Sequence, residues 1–318
     1  MANFASTNRT MKKLFFLALL LSFSHSSFAQ TYVYELAPDS MNSGRATYIT
    51  ELSNGNIAVA IQDGRDHEIM EFSNLGNQIR SYTAGSGSNY AMGHVEALPN
   101  GNFLQTGHSQ YTRRGTFVLR DSIGAVLRDT FLRESSWSGA LTYINDVVTD
   151  ANGNVYFVGR VYDIFSGGVS FYSWTIPFIG KLNSNLSMQW VRTFSVHDSR
   201  NRRRGDANGI CIDPDGNLAV VGYHSSGNGS TARDYLVKFN PNGLRLWAKE
   251  MLNASVTGTP TKIVSSSSGA FFTMEWQSAS PHNGVRIDKF SKGGTYLWSK
   301  TIRSATEPLG FGGMDINA

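Results

Sequence analysis

Glycine turns recur along the chain in one register, and this pattern limits the possible folds more than anything else in the sequence. They read Asn54-Gly55-Asn56, Asn100-Gly101-Asn102, Asn152-Gly153-Asn154, Asp215-Gly216-Asn217 and Ser268-Gly269-Ala270. The four intervals from Gly55 to Gly269 average 53.5 residues. Asn-Gly and Asp-Gly accept positive φ, so the expected connection is a two-residue hairpin with a primed turn. Six residues before each glycine stands a β-branched apolar residue: Ile49, Val95, Val147, Ile210 and Ile263. Apolar runs such as Val155–Val158 and Leu218–Val221 follow the turns. Each unit therefore opens with two largely buried strands. A second turn follows in each unit, at 74–77, 122–124, 183–186, 240–243 and 292–294, and joins a further pair of strands.

Four short strands per unit of about 50 residues is the pattern of a β-propeller blade. The expected fold is all-β: a β-propeller of four-stranded blades, five complete and a sixth incomplete. No helical 3.6-residue period lasts long enough to name a helix. A β-sandwich, the structural alternative, does not repeat two turns in register five times. The stretch 213–222 (DPDGNLAVVG), followed by 239–243 (FNPNG), resembles the short propeller repeats of secreted and surface bacterial proteins, the SBBP type. The resemblance covers about Thr47 to Ile302. It implies a fold and export, and no particular activity.

Lys12-Lys13, the apolar run Leu14–Phe23 and the small-residue motif Ser27-Phe28-Ala29 follow one another in the order of a secretory signal peptide. Cleavage is expected before Gln30. The apolar run is shorter than the roughly 20 residues that span a bilayer. The expected division is a signal peptide, 1–29, and a propeller domain, 30–318, secreted or at the cell surface, with no membrane span in the mature chain. At the C-terminus, 312–318 aligns with 145–151 and reads as the first strand of a sixth blade. Tyr32–Leu36 reads as that blade's outer strand. The expectation is a ring truncated at its C-terminal end.

Charge and cysteine content exclude several functions. The net charge of +4 includes Arg9, Lys12 and Lys13; without residues 1–29, 25 basic residues face 24 acidic ones. Such a balance gives no global field for a polyanion, so nucleic acid is not an expected partner. One cysteine, Cys211, cannot form a disulfide framework or a multi-cysteine metal centre, and its place mid-strand reads as a buried, inert thiol. Asp213-x-Asp215-x-Asn217 has the look of a calcium loop but lacks the later Gly and Glu of an EF-hand, so it reads as turn chemistry. No nucleophile elbow, P-loop or dinucleotide fingerprint is present. Neither a cofactor nor a metal is expected. Trp190, Trp247 and Trp298, with Arg80 and Arg128 in the earlier units, recur at one position and read as packing.

Long, variable loops cover 160–178, 195–207, 223–234 and 276–284, all on one face of a propeller; binding residues concentrate on such loops. Seven residues before the turn glycines stand Tyr48, His94, Asp146, Gly209 and Lys262, which should ring the channel mouth on that face. Tyr48, His94, Asp146 and Lys262 are the candidate ligand-binding residues, with Arg160 and Tyr223 at the roots of two long loops. A His, an Asp and a Lys converging on a pocket can hold a polar ligand or move protons. Arg200–Arg204, Arg113-Arg114 and Arg233 fall on the same face. The leading expectation is a secreted, non-catalytic propeller that binds a glycan, a protein or a cell surface. The alternative is a secreted hydrolase, lyase or lactonase acting at the channel mouth; two or more carboxylates, or a His–Asp pair, in hydrogen-bond contact within one deep pocket would favour it.

Overall fold

The computed structural model describes residues 17–21, 30–34, 45–63, 66–83, 90–109, 114–132, 140–163, 174–196, 204–225, 232–251, 258–277, 284–303 and 314. The chain divides into two compact units, Met1–Asn42 and Ser43–Ala318. In the first, β1 (Leu17–Leu21) pairs antiparallel with β2 (Gln30–Tyr34). Tyr32–Tyr34 thus forms a strand as expected, but its partner is the apolar segment Leu17–Leu21 rather than a blade. The expected strand at 312–318 lies outside the described residues, Met314 apart, and the incomplete sixth blade is not shown.

The second unit is a β-propeller of five blades, each a four-stranded antiparallel sheet in chain order. Blade 1 is β3 (Arg45–Glu51), β4 (Ile57–Asp63), β5 (Asp66–Phe72) and β6 (Gln78–Thr83). Blade 2 is β7 (Tyr90–Ala97), β8 (Phe103–Ser109), β9 (Gly115–Arg120) and β10 (Val126–Phe131). Blade 3 is β11 (Leu141–Thr149), β12 (Val155–Asp163), β13 (Trp174–Leu182) and β14 (Met188–Thr193). Blade 4 is β15 (Arg204–Ile212), β16 (Leu218–Ser225), β17 (Ala232–Phe239) and β18 (Arg245–Glu250). Blade 5 is β19 (Pro260–Ser265), β20 (Phe271–Gln277), β21 (Gly284–Phe290) and β22 (Tyr296–Arg303).

The turns lie where the repeat put them, but their geometry differs from the expectation. Only the glycine of each turn has positive φ, +79° at Gly55 for example, and the residue before it does not. Gly55 N donates to Leu52 O at 2.9 Å and Leu52 N to Asn56 O at 2.7 Å. This is a type I turn closed by a left-handed glycine, a three-residue loop. Side chains hold it that way. Asp213 Oδ1 accepts from the amides of Asp215 and Asn217, and Asp150 Oδ1 from those of Asn152 and Asn154. That is the turn chemistry expected of Asp213, and it keeps the residues before the glycine right-handed. In blade 3 the second turn has no glycine, and Leu186 takes the left-handed position with φ of +54°.

Strand alternation explains the unbroken apolar runs. Along β12, Val155, Phe157 and Val161 face the core shared with blade 2, while Tyr156 and Val158 face the one shared with blade 4. Along β16, Leu218 and Val220 face blade 3, and Ala219 and Val221 pack with Ile263 and Phe271 of blade 5. A strand between two sheets is buried on both sides, so it carries no polar alternation. Phe117, Phe157 and Phe178 form edge-to-face contacts in the core of blades 2 and 3. Each such side chain contributes about 1.5–3 kcal/mol by burial.

The Arg/Trp column proves to be a blade-to-blade clasp. Trp190 lies on Gly243 and Trp247 on Gly294, so close that a Cβ on either glycine would stand 2.8 Å from the ring. Arg80 donates to Ile123 O and Arg128 to Asn185 O. Each of these side chains reaches the second turn of the next blade. Trp298, their counterpart in blade 5, remains 42% exposed on a strand whose residues are all exposed.

Candidate functional site at the channel mouth

The site rests on a β-bulge repeated five times. Between β3 and β4 the register slips at Thr47, and the same slip occurs at Gly93, Asn145, Asn208 and Thr261 in the other inner strands. A bulge sets two residues against one and re-aims side chains. Consecutive residues such as Thr47 and Tyr48, or Thr261 and Lys262, therefore line one central cavity of about 470 Å³. In blades 3 and 4 a carbonyl of the first strand presses on the second strand beside the bulge. A Cβ at Gly159 would lie 1.8 Å from Tyr143 O, and one at Gly222 2.0 Å from Asp206 O. Only glycine fits there. Bulge side chains also tie blades together, Asn145 Nδ2 donating to Ala207 O at 2.9 Å and Asn208 Nδ2 to Pro260 O at 3.1 Å.

Four of the six expected residues meet in one cluster. Asp146, 4% exposed, sits at its centre. Lys262 Nζ lies 3.0 Å and His94 Nδ1 3.2 Å from Asp146 Oδ1, and the Ile210 amide donates to Oδ2 at 3.0 Å. Burial pushes this carboxyl up, but Lys262, His94 and the Ile210 amide outweigh it and hold the group below its ordinary value. The Tyr48 ring lies against His94 with centroids 3.5 Å apart, and Lys262 Nζ stands 4.4 Å from the same ring. His94 Nε2 faces Glu96 at 3.7 Å. Both imidazole nitrogens are thus turned to protein carboxylates, with neither aimed at a substrate. In blade 4 the equivalent position is Gly209, which adds no side chain to the cavity.

Arg160 and Tyr223 belong to a second group centred on Asp206, which lines the same cavity as Tyr223. Arg160 NH1 binds Asp206 Oδ2 at 2.5 Å, and the guanidinium lies 4.9 Å from the Tyr143 ring and 5.3 Å from the Tyr162 ring. Burial, then the Asp206 carboxylate, raises the Tyr223 hydroxyl above its ordinary value. Asp206 is 3% exposed, and its Oδ1 has no hydrogen-bond partner among the described residues. Asp206 and Tyr143 were not singled out by the repeat. Both stand two residues before a bulge asparagine, so strand period alone aims them at the channel side.

The remaining candidates separate. Arg113 and 200–203 lie outside the described residues. Arg233 binds Glu250 at 3.0 Å, as does His224. Asp213 is paired with Lys238. Cys211 packs beside the core of blades 4 and 5, and burial raises its thiol far above the ordinary range. A second depression, on the tight-turn face between blades 3 and 4, is lined by turn residues whose polar groups cap their own turns.

No family model matches the chain, and no curated protein matches it. Solved structures do. The chain is similar to a polysaccharide lyase of the PL25 family, an ulvan lyase, with a TM-score of 0.58 and 8% identity over 85% of this chain and 72% of that one. The same kind of enzyme in complex with -[GlcA(1-4)Rha3S]- superposes with a TM-score of 0.57 at 8% identity, again over 85% of this chain and 72% of that one. An α-L-arabinanase from Penicillium chrysogenum in complex with arabinobiose gives a TM-score of 0.49 at 13% identity, over 84% of this chain and 95% of that one. At such identities the likeness is one of fold, and the fold is the β-propeller.

Proposed function

We propose that this protein is an exported, non-catalytic binding module that holds an uncharged saccharide at the mouth of its central channel. The carrying observation is Asp206, a buried carboxylate in the wall of a polar cavity, with Arg160 on Oδ2, the Tyr223 hydroxyl beside it and no well-aligned donor on Oδ1 among the described residues. A buried acceptor left unmatched costs free energy, and a ligand hydroxyl would supply the missing donor. The rest of the wall points the same way. Thr47 and Thr261 give their hydroxyl protons to Ala60 O and Met274 O, and Asn145 and Asn208 spend amide protons on neighbouring blades. The oxygens of these four side chains are left as acceptors, a match for the hydroxyl donors of a polyol. Lys262 and Arg160 each face a carboxylate, so neither is left uncompensated to draw a polyanion. Tyr48 and Tyr223 add aromatic faces of the kind that sugar rings pack on. Export rests on the order of regions in 1–29.

The test is a glycan array probed with residues 30–318, beside Asp206→Asn and Lys262→Met. Binding to neutral saccharides that both variants weaken at least tenfold supports the reading; binding confined to sulfated or uronate glycans overturns it.

One observation favours the second reading, a hydrolase, lyase or lactonase: the 3.2 Å His94–Asp146 contact beside the cavity. Against it, Asp146 is fully engaged and both His94 nitrogens face carboxylates. Incubation of a captured glycan with the protein decides between them. New reducing or unsaturated ends that disappear with His94→Ala establish catalysis; an intact glycan leaves the binding module.

A further inference from the structure

Beyond the cavity wall, the second group of residues continues outward over blade 3. Arg160 and Tyr162 stand on β12 and Tyr143 on β11, where Tyr143 and Arg160 are direct cross-strand partners. The two tyrosine rings meet edge to face at 5.5 Å, and His108 of blade 2 lies 4.5 Å from Tyr143. Every one of these side chains is half-exposed, so the rings form a surface step and not a core contact. The step is rigid. Arg160 is held between the rings by its 2.5 Å contact with Asp206, the same carboxylate whose other oxygen serves the cavity.

We propose that this step is a second saccharide subsite, so that the ligand is a chain of at least two sugar units, one in the cavity and the next on the Tyr143–Tyr162 step. Three features argue for a sugar ring there. Aromatic faces beside a fixed guanidinium offer an apolar surface with hydrogen-bond donors at its edge, which suits the CH face and hydroxyl rim of a pyranose or furanose. Asp206 joins the two places, since its Oδ2 orders the step through Arg160 while the residue is part of the cavity lining. The charge of Arg160 is matched by Asp206, so the step selects a neutral unit, as the cavity does. This inference rests on the saccharide reading above and deepens it.

The experiment uses residues 30–318 and an array of gluco-, manno-, galacto-, arabino- and xylo-oligosaccharides of one to four units, with titration calorimetry on every sugar that binds. The expected result is affinity rising about five- to tenfold from one unit to two, then levelling, a size typical of one aromatic contact. Tyr162→Leu, which keeps the apolar volume and removes the ring, should abolish that rise while leaving binding of the single unit unchanged. Tyr162→Trp should restore the rise. Circular dichroism and thermal melting of both variants show whether the fold is intact, and Tyr162→Trp carries the test if the leucine variant unfolds. A single unit that binds with an affinity independent of chain length, or a rise that survives Tyr162→Leu in the folded protein, overturns the second subsite and leaves the cavity site standing. Silence across the array removes the saccharide reading itself.

Discussion

Two buried acidic groups in the same ring are held in opposite ways. Asp146, at the channel mouth, is surrounded by Lys262, His94 and the Ile210 amide, and its carboxyl lies below the ordinary value. At the boundary of blades 4 and 5, Asp234, Glu275 and Asp288 share one cation, Arg286. The guanidinium binds Asp288 at 2.9 Å and reaches Glu275 at only 3.7 Å. Burial, followed by mutual repulsion, pushes Asp234 up to about 8 and Glu275 to about 7, and burial raises Asp288 as well. Glu275 Oε1 has no hydrogen-bond partner among the described residues. Burial is similar in the two places. The number of partners decides whether it charges or neutralises a carboxyl.

The largest expected effect comes from breaking the compensated cluster. Asp146→Ala leaves the Lys262 ammonium without its counter-charge, His94 without its carboxylate partner and the Ile210 amide without its acceptor. A loss of about 3–5 kcal/mol in urea unfolding is expected. Asp234→Asn removes a carboxyl that already favours its neutral form, and its stability at pH 7 should equal or exceed the parent's. If the two substitutions cost the same, the contrast is empty.

Next in size is the pH dependence. Asp234 and Glu275 hold protons in the folded state at pH values where the unfolded chain has released them. Their contribution is complete below about pH 4, the unfolded range, and is lost as pH rises through about 7 and 8. Asp146 acts in the other direction, contributing above the unfolded value of 3.8 and losing its effect as pH falls below it. Stability should therefore peak near pH 4–5 and decline toward pH 8. Melting curves at a series of pH values should show this slope in the parent and a shallower one in Asp234→Asn and in Glu275→Gln. An equal slope in all three would place the titrating groups elsewhere.

Arg286→Met sharpens the same point on a smaller scale. Without the cation the three carboxyls stay neutral more readily, so the decline should steepen above pH 6 and vanish below pH 4. Smallest of all is Arg233→Ala. Its pair with Glu250 is solvent-exposed on the Arg side, and a change of about 0–1 kcal/mol is expected in urea unfolding.

Much of the candidate site was legible because the repeat places equivalent residues at equivalent heights. Seven residues before a turn glycine is the channel rim in every blade, so Tyr48, His94, Asp146 and Lys262 could be named together. Asp206 and Tyr143 were not, because their role depends on the bulges. A one-residue slip in register is invisible in a string of β-branched and small residues. Gly107, Gly159 and Gly222 opposite three of the bulges were its trace, and at the last two the meaning lies in the carbonyl that each admits.

By itself the sequence determined the blades. Turn glycines, Asx caps and apolar runs act over a few neighbouring residues, so their spacing counts strands without reference to the rest of the molecule. The turn type was a closer matter, since the Asx side chains, more than the glycine, choose between a primed turn and a type I turn with a left-handed closing residue. Only the tertiary structure decided which charges meet. Asp146 and Lys262 are 116 residues apart, and the arrangement of the blades around the channel brings them within 3.0 Å. Whether a buried carboxyl there finds a lysine, a histidine and an amide, or one cation shared among three acids, depends on that arrangement. No local pattern encodes it.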